Sequence, residues 1–457
     1  MKLLLIYICM ALQLIPTVGL CSKPRLVISS DFPPIDVIPG TITVGAPEKR
    51  SDPDDVQSMV RFLVYSNEFE VLGLIAASGT LANVANKQHI LDVLNIYEKA
   101  EGNLRKHDPG FPTADALRKV TKAGLSGTYA KLYEQILGEG KDSEASDYII
   151  RLLKDPDTEP IWFCFWGGTQ ELAQALWRMK QARNPKLLKQ AIAKIRVYMI
   201  AYQDGTGQWL MENFPDMFII VNKQAFKGIF YNAPGADTTM GDLYWINKHI
   251  RIDHGPLGMI YPESGWDHTK KGVIEGDTPS FLYMFSGISG LSHLEKPGYG
   301  GWGGLFRPLT QNNKHWMEAE PDGKSINMWQ YAFQNDFAAR MDWCHADFSA
   351  ANHNPVVVIN GESSKEVLMH RARAGERVKL SAGGSYDPDT NKLSYRWFIY
   401  PKDDNVIADP SLIEATAENM SFIMPSLEAN GELHIICEVK DNGIPALYSY
   451  RRIIFTH

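Results

Sequence analysis

One feature constrains this chain more than any other. The apolar run Leu26-Val27-Ile28-Ser29-Ser30 closes on Asp31, and a second acidic outcrop, Ser51-Asp52-Pro53-Asp54-Asp55, opens the stretch Val56-Gln57-Ser58-Met59-Val60-Arg61-Phe62-Leu63. A β-branched run ending in an acid reads as a buried strand that delivers a carboxylate to the carboxyl edge of a sheet, where open α/β sheets bind ligands. The second outcrop reads as a helix start, with Asp52 as N-cap, Pro53 at the first helical position and Asp54 and Asp55 in the first turn.

Acids in a first turn complement the helix dipole by about 0.3–1 kcal/mol each and need no further role. Three acids within four residues, after a strand-end Asp, exceed what capping requires. Clustered carboxylates repel until a proton or cation neutralises them, and a hard cation such as calcium takes several oxygen ligands. Spacing alone leaves a metal site and a solvated cap both open.

Further along, Glu70–Ala77 reads as a second buried strand and Asn83–Lys99 has helical spacing. Asp142–Asp147 starts a helix. Pro160–Phe165 is a strand that leads through Trp166-Gly167-Gly168-Thr169 into the helix Gln170–Lys180, and Arg196–Tyr202 is another strand. Strands alternating with helices predict an α/β fold with a parallel sheet flanked by helices. From about residue 232 to 345 the pattern loosens into loops rich in Gly, Pro, His and Trp, of the kind that build the mouth of a site. The 457 residues suffice for two or three domains, and the net charge of −7 gives no sign of a nucleic-acid polymer or an anionic membrane as partner.

Met1-Lys2, the apolar stretch Leu3–Ile15 and the segment to Cys21 read as a cleaved secretory signal over residues 1–21, too short to span a bilayer. The expected location is therefore secreted or periplasmic, with no transmembrane segment. The Cys residues have no metal-type spacing; Cys164 reads as a buried thiol, and a Cys344–Cys437 bridge is left open.

After Asn354-Pro355 the composition changes. Val356–Asn360, Glu376–Ser381, Leu393–Tyr400 and His434–Lys440 read as short strands separated by turn residues, predicting an all-β sandwich over 355–457 behind an α/β domain over 24–350. Ser385-Tyr386-Asp387-Pro388-Asp389 followed by Leu393-Ser394-Tyr395-Arg396-Trp397 resembles the immunoglobulin-like modules of polycystic-kidney-disease and cadherin type. Asp387 and Asp389 read there as turn formers.

Asp31 with Asp54-Asp55 resembles the Asp-x-Asp-Pro-Gly-x-Asp-Asp signature of inosine-uridine-preferring nucleoside hydrolases, split by an insertion. The wording from Ser29 to Pro34 and from Arg50 to Leu63, with Ser66–Glu70 and Gly276–Phe281, looks closer still to a narrower family. These are exported bacterial proteins described as cellulose-binding, with a nucleoside hydrolase-like domain and a C-terminal immunoglobulin-like domain. The resemblance implies a calcium ion at the carboxyl edge of the sheet. Asp31 would be a ligand and the base that takes the proton of the attacking water. Asp55 would be a second ligand, Thr169 would ligate through its main-chain carbonyl, and Asp277 would be the later aspartate ligand. Asp54 would grip a sugar hydroxyl, with Asn83 and Asn213 as further candidates for sugar contact.

Two departures stand out. The 22 residues between Asp31 and Asp54 require a looped-out excursion, Phe32–Lys49, and Gly276 stands where nucleoside enzymes often carry a histidine. His254 and His268 lie in the right loop-rich region as donors to a leaving group, and Trp209, Trp266 and Trp302 could stack on sugar rings. The expectation is thus a secreted, calcium-dependent hydrolase of N- or O-glycosyl bonds in a carbohydrate or nucleoside-type glycoside. The competing reading is a non-catalytic carbohydrate- or cellulose-binding protein on the same fold. A third has the sandwich merely spacing or anchoring the first domain.

Overall fold

The computed structural model describes residues 23–40, 44–400 and 414–457. The expected signal segment 1–21 lies outside them. Eight strands form the main sheet: β1 (Arg25–Ser30), β2 (Glu70–Ala76), β3 (Thr121–Ala123), β4 (Ile161–Phe165), β5 (Ile195–Ile200), β6 (Phe218–Asn222), β7 (Phe306–Pro308) and β8 (His315–Glu318), in the spatial order β3-β2-β1-β4-β5-β6-β8-β7. Every pairing is parallel except that of β7 with β8. The strands read as near-continuous apolar runs because both faces are covered. Leu26 and Ile28 enter one core and Val27 the other; likewise Trp162 and Cys164 oppose Ile161, Phe163 and Phe165.

From β1 the chain first builds outward through β2 and β3, then returns to add β4, β5 and β6 on the other side. The order reverses between β1 and β4. In open α/β sheets, that reversal opens the crevice in which ligands bind.

The helix after β1, α1 (Asp54–Tyr65), is buried along its whole length. It begins one position later than the capping reading placed it. Pro53 is the cap residue and makes no side-chain bond, while Asp52 Oδ1 accepts from the Asp54 N–H at 3.4 Å. The excursion between Asp31 and Asp54 folds back on itself: Ile38–Pro39 pairs in parallel with Arg50–Ser51, Gly40 N–H donates to Ser51 O at 2.7 Å, and Lys49 pairs with Asp36. The insertion thus leaves and rejoins the sheet edge at neighbouring points.

The loop-rich region expected over 232–345 is more structured than its composition suggests. It holds the helices Pro279–Ile288 and Gln330–Asp342 and the last two strands of the sheet, β8 and the edge strand β7. Beyond it, a five-stranded sheet (Leu368–Arg371, Tyr448–Thr456, Leu433–Lys440, Ser394–Ile399, Glu414–Ala415) faces the pair Arg377–Ser381 and Asn419–Ile423 across Ile359, Leu380, Trp397, Phe422, Cys437 and Ile453. Val356–Asn360 forms only isolated bridges rather than the expected strand. Asp387 acts as a turn former, its Oδ1 accepting from the N–H groups of Asp389 and Asn391 at 2.9 Å. Cys164, Cys344 and Cys437 are buried free thiols, so Cys344 and Cys437 are not bridged.

This C-terminal β region shares a core with the α/β body. Phe398, Tyr400, Ile436 and Tyr450 belong to the same apolar cluster as Trp302, Trp329 and Phe333. Trp329 stacks on Tyr400 with ring centroids 5.9 Å apart. Arg452, fully buried, donates from Nε to Leu291 O at 2.6 Å, and its N–H donates to Gly290 O at 2.8 Å.

Candidate active site

At the carboxyl ends of β1 and β4 lies a cleft of about 410 Å³ walled by Asp31, Asp52, Asp54, Asp55 and Asp277, with Thr80, Trp166, Tyr202, Gln203, Phe226, Phe230, Trp266 and Lys270 around them. The acids arrive by separate segments of the chain. Asp31 is the first residue beyond β1, Asp54 and Asp55 form the first turn of α1, and Asp277 precedes the Pro279–Ile288 helix. Carboxylate oxygens of Asp54, Asp55 and Asp277 lie within 4.8 Å of one another.

Several contacts hold this arrangement. Ser30 Oγ donates to Asp55 Oδ1 at 2.5 Å, and the Gly276 N–H donates to Asp54 Oδ2 at 3.2 Å. Gln57, on α1 beyond the acids, accepts from Ile274 N–H at 2.8 Å and donates to Pro262 O and Gly272 O at 2.9 and 3.0 Å. Farther along α1, buried Arg61 donates from Nε to Glu275 Oε2 at 2.5 Å and from a terminal nitrogen to Gln334 Oε1 at 2.7 Å. One helix therefore presents two of the acids and also secures the loop that presents a third. Gly79 admits Asp31: a Cβ there would stand 2.1 Å from Asp31 Oδ2, closer than any side chain permits.

Burial dominates the electrostatics. It pushes the carboxyls of Asp31, Asp54 and Asp277 well above the ordinary range. Neighbouring carboxylates add to the rise: Asp55 and Asp52 for Asp31, Asp52 and Asp277 for Asp54, and Asp55 and Asp31 for Asp277. Asp55 is pushed up to about 7 by burial, against which the Ser30 hydroxyl pulls down. Among the described residues, none of the five acids is salt-bridged to Lys or Arg: Lys270 pairs with Asp267, and Lys227 donates to Gln224. A buried group of carboxylates without a cationic side chain suits a hard divalent ion, and three carboxylates as neighbours match the oxygen-only donor set that calcium takes.

The other sequence candidates stand elsewhere. Thr169 directs its hydroxyl to Thr206 Oγ1 at 2.7 Å and its carbonyl to the Ala173 N–H within the Gln170–Gln181 helix; it does not line the cleft. Asn83 accepts from Tyr129 N–H at 3.1 Å, and Asn213 is engaged by Lys180 at 2.9 Å and Trp209 O at 3.0 Å, both outside the cleft wall. The side chains of Asn83 and Asn213 are engaged by these partners, while the Thr169 carbonyl, the group that the resemblance assigns to the ion, accepts the Ala173 N–H. His254 and His268 are not in the cleft wall either. Trp209 and Trp302 are packed in cores, while Trp266 stands 41% exposed at the cleft mouth. Asp52, one of the three clustered acids, joins the wall, whereas two wall residues carried no assignment from the sequence: Gln203, which accepts from both the N–H and the hydroxyl of Thr80, and the floor residue Trp166, whose Nε1 donates to Ser280 Oγ at 2.8 Å. Trp166 had a signal: it is the first residue after a strand adjoining β1.

The family model described as "Cellulose-binding Sde182, nucleoside hydrolase-like domain" matches residues 46–306. The chain belongs to this family. A second model, "Cellulose-binding protein Sde0182, C-terminal domain", matches residues 377–457. Among solved structures, this Sde182-family chain is similar to a nucleoside hydrolase-related hypothetical protein from Saccharophagus degradans that is associated with carbohydrate metabolism. The two are 31% identical with a TM-score of 0.75, over 95% of this chain and 100% of that one. The fold of this Sde182-family member is thus nucleoside hydrolase-like, with a mostly parallel central sheet and a C-terminal β-sheet region. No curated protein matches it.

Proposed function

We propose that the chain is a calcium-dependent hydrolase of glycosyl bonds, exported from the cell, acting on a carbohydrate or a nucleoside-type glycoside. The observation that carries this is the convergence of Asp54, Asp55 and Asp277 within 4.8 Å at the sheet's reversal point, with Asp31 in the same wall. Asp54, Asp55 and Asp277 would hold the ion, with Asp31 beside them. When bound, calcium supplies a positive charge that neutralises these carboxylates and polarises oxygen ligands. Asp31, held against Gly79 at the end of β1, accepts a proton from water attacking an anomeric carbon. Trp266, Phe226 and Phe230 offer the cleft aromatic faces on which a sugar ring or a planar leaving group stacks.

A second reading, binding without hydrolysis, rests on Gly276 and on the cleft wall. Where a histidine would stand, the backbone N–H bonds Asp54, and no histidine is among the wall residues. The family's cellulose-binding description also favours it.

Calorimetric titration of calcium into the full chain and into Asp55→Ala tests the metal. A screen of hydrolysis from nucleosides to cell-wall oligosaccharides then separates the two readings. Calcium binding lost in the variant with hydrolysis of one glycoside class supports the enzyme. Calcium binding with retention on cellulose but no turnover supports the binder. Absence of calcium binding by the unaltered chain would overturn the proposal.

A further inference from the structure

A second cluster of metal-ligating side chains lies away from the cleft. Asp342 is the last residue of the Gln330–Asp342 helix, His345 follows in the turn after it, and His254 leads into the short helix Gly255–Ile260. One ligand atom from each falls within 4.8 Å of the other two. His254 Nδ1 stands 2.9 Å from Asp342 Oδ1 and His345 Nε2 stands 3.8 Å from the same oxygen, while the two imidazole rings meet edge to face with centroids 5.6 Å apart.

The decisive contact is on the far side of His254. Its Nε2 lies 2.7 Å from the Lys248 carbonyl, which only accepts, so Nε2 must carry the proton. In the neutral ring this leaves the Nδ1 lone pair facing a carboxylate oxygen at 2.9 Å. Two acceptors at that distance require a proton or a cation between them. A backbone carbonyl that holds the distal N–H of an imidazole is also the usual orienting partner of a metal-bound histidine. The carboxylate sits at a helix C-terminus, where positive charge is favoured.

We propose that His254, Asp342 and His345 form a binding site for a borderline divalent cation of the zinc class. Two imidazole nitrogens and one carboxylate suit zinc or nickel, whereas calcium requires an all-oxygen set. Three protein ligands leave one position of a tetrahedral ion for water. The ion would clip the turn carrying His254 to the end of the helix whose Trp329 flank and Asn335 contact the C-terminal β region; Asn335 donates to Ala446 O at 2.9 Å. The site shares no residue with the acidic cleft.

The test is titration with zinc chloride of the full chain held in saturating calcium chloride, read by calorimetry. Cobalt(II) is used in parallel for its visible ligand-field bands. His345 is exposed, so His345→Ala removes a ligand without opening a core. We expect zinc affinity to fall by about 10–100-fold or more in His345→Ala and in His254→Ala, the cobalt bands to change in both, and Asp277→Asn to leave zinc binding intact. Zinc binding absent from the unaltered chain, or unchanged in both histidine variants, would show a plain His–Asp ion pair and overturn the proposal.

Discussion

Ser30 and Asp55 are joined by a 2.5 Å hydrogen bond between residues 25 positions apart, the hydroxyl at the end of β1 donating to the carboxylate in the first turn of α1. The bond favours the ionised form of Asp55 and aims one of its oxygens. Ser30→Ala therefore pushes the Asp55 carboxyl further up and frees its orientation. The expected outcome is calcium affinity about 10–100-fold weaker, with a stability cost of about 1–3 kcal/mol. Calorimetry alongside urea unfolding measures both, and unchanged affinity would count against Asp55 as a ligand.

Stability in the absence of calcium should fall with rising pH. Asp55 keeps its proton in the fold up to about 7, whereas the unfolded chain releases it in the ordinary carboxylate range. Between those limits the folded state binds more protons, so the unfolding free energy declines as pH rises. Asp31, Asp54 and Asp277 act in the same direction. Melting temperature should drop from about pH 5 to about pH 8 without calcium, and drop much less with it. A flat metal-free profile would contradict the buried, mutually repelling cluster.

Arg61→Met tests the support of the Asp277 loop. It strips Glu275 of its ion-pair partner where neither side chain is exposed, at an expected cost of about 3–5 kcal/mol. Because Glu275 lies two residues before Asp277, calcium affinity should also weaken, although Arg61 is not a ligand. Arg61→Met with Glu275→Gln should recover part of the stability, read by chemical denaturation; no recovery would argue that Arg61 acts through its contact with Gln334 instead.

Trp329→Ala tests the union of the two halves. Removing a ring packed on Tyr400 and Tyr450 should cost about 3–5 kcal/mol. The unaltered chain should unfold in one transition followed alike by a probe in each half. Two well-separated transitions would show that the shared core is not energetically shared.

Legibility in the sequence followed physical scale. Asp31, Asp54 and Asp55 were readable because each sits at the end of an element with a strong local signature, an apolar run or an acidic helix start, whereas Asp277 was reached only through the family resemblance. Residues whose meaning depends on distant partners were not. Asn213 is bound by Lys180 and Trp209 on its own side of the molecule. The strands β7 and β8 were missed because three or four residues show no periodicity. The Tyr448–Thr456 strand was missed because Arg451 and Arg452 interrupt it, and Arg452 is buried where the Leu291 and Gly300 carbonyls of the α/β body and His434 Nδ1 of the β region receive it.

That last arginine has an evolutionary consequence. A β module that closes its partner's core cannot be traded like a bead on a string. A foreign sandwich grafted after Asn354 would have to bring its own Tyr400, Tyr450 and Arg452, or leave Trp302 and Trp329 facing water. A recombined chain could therefore keep this core only by inheriting the two halves together, and the C-terminal surface holds a fixed bearing to the cleft.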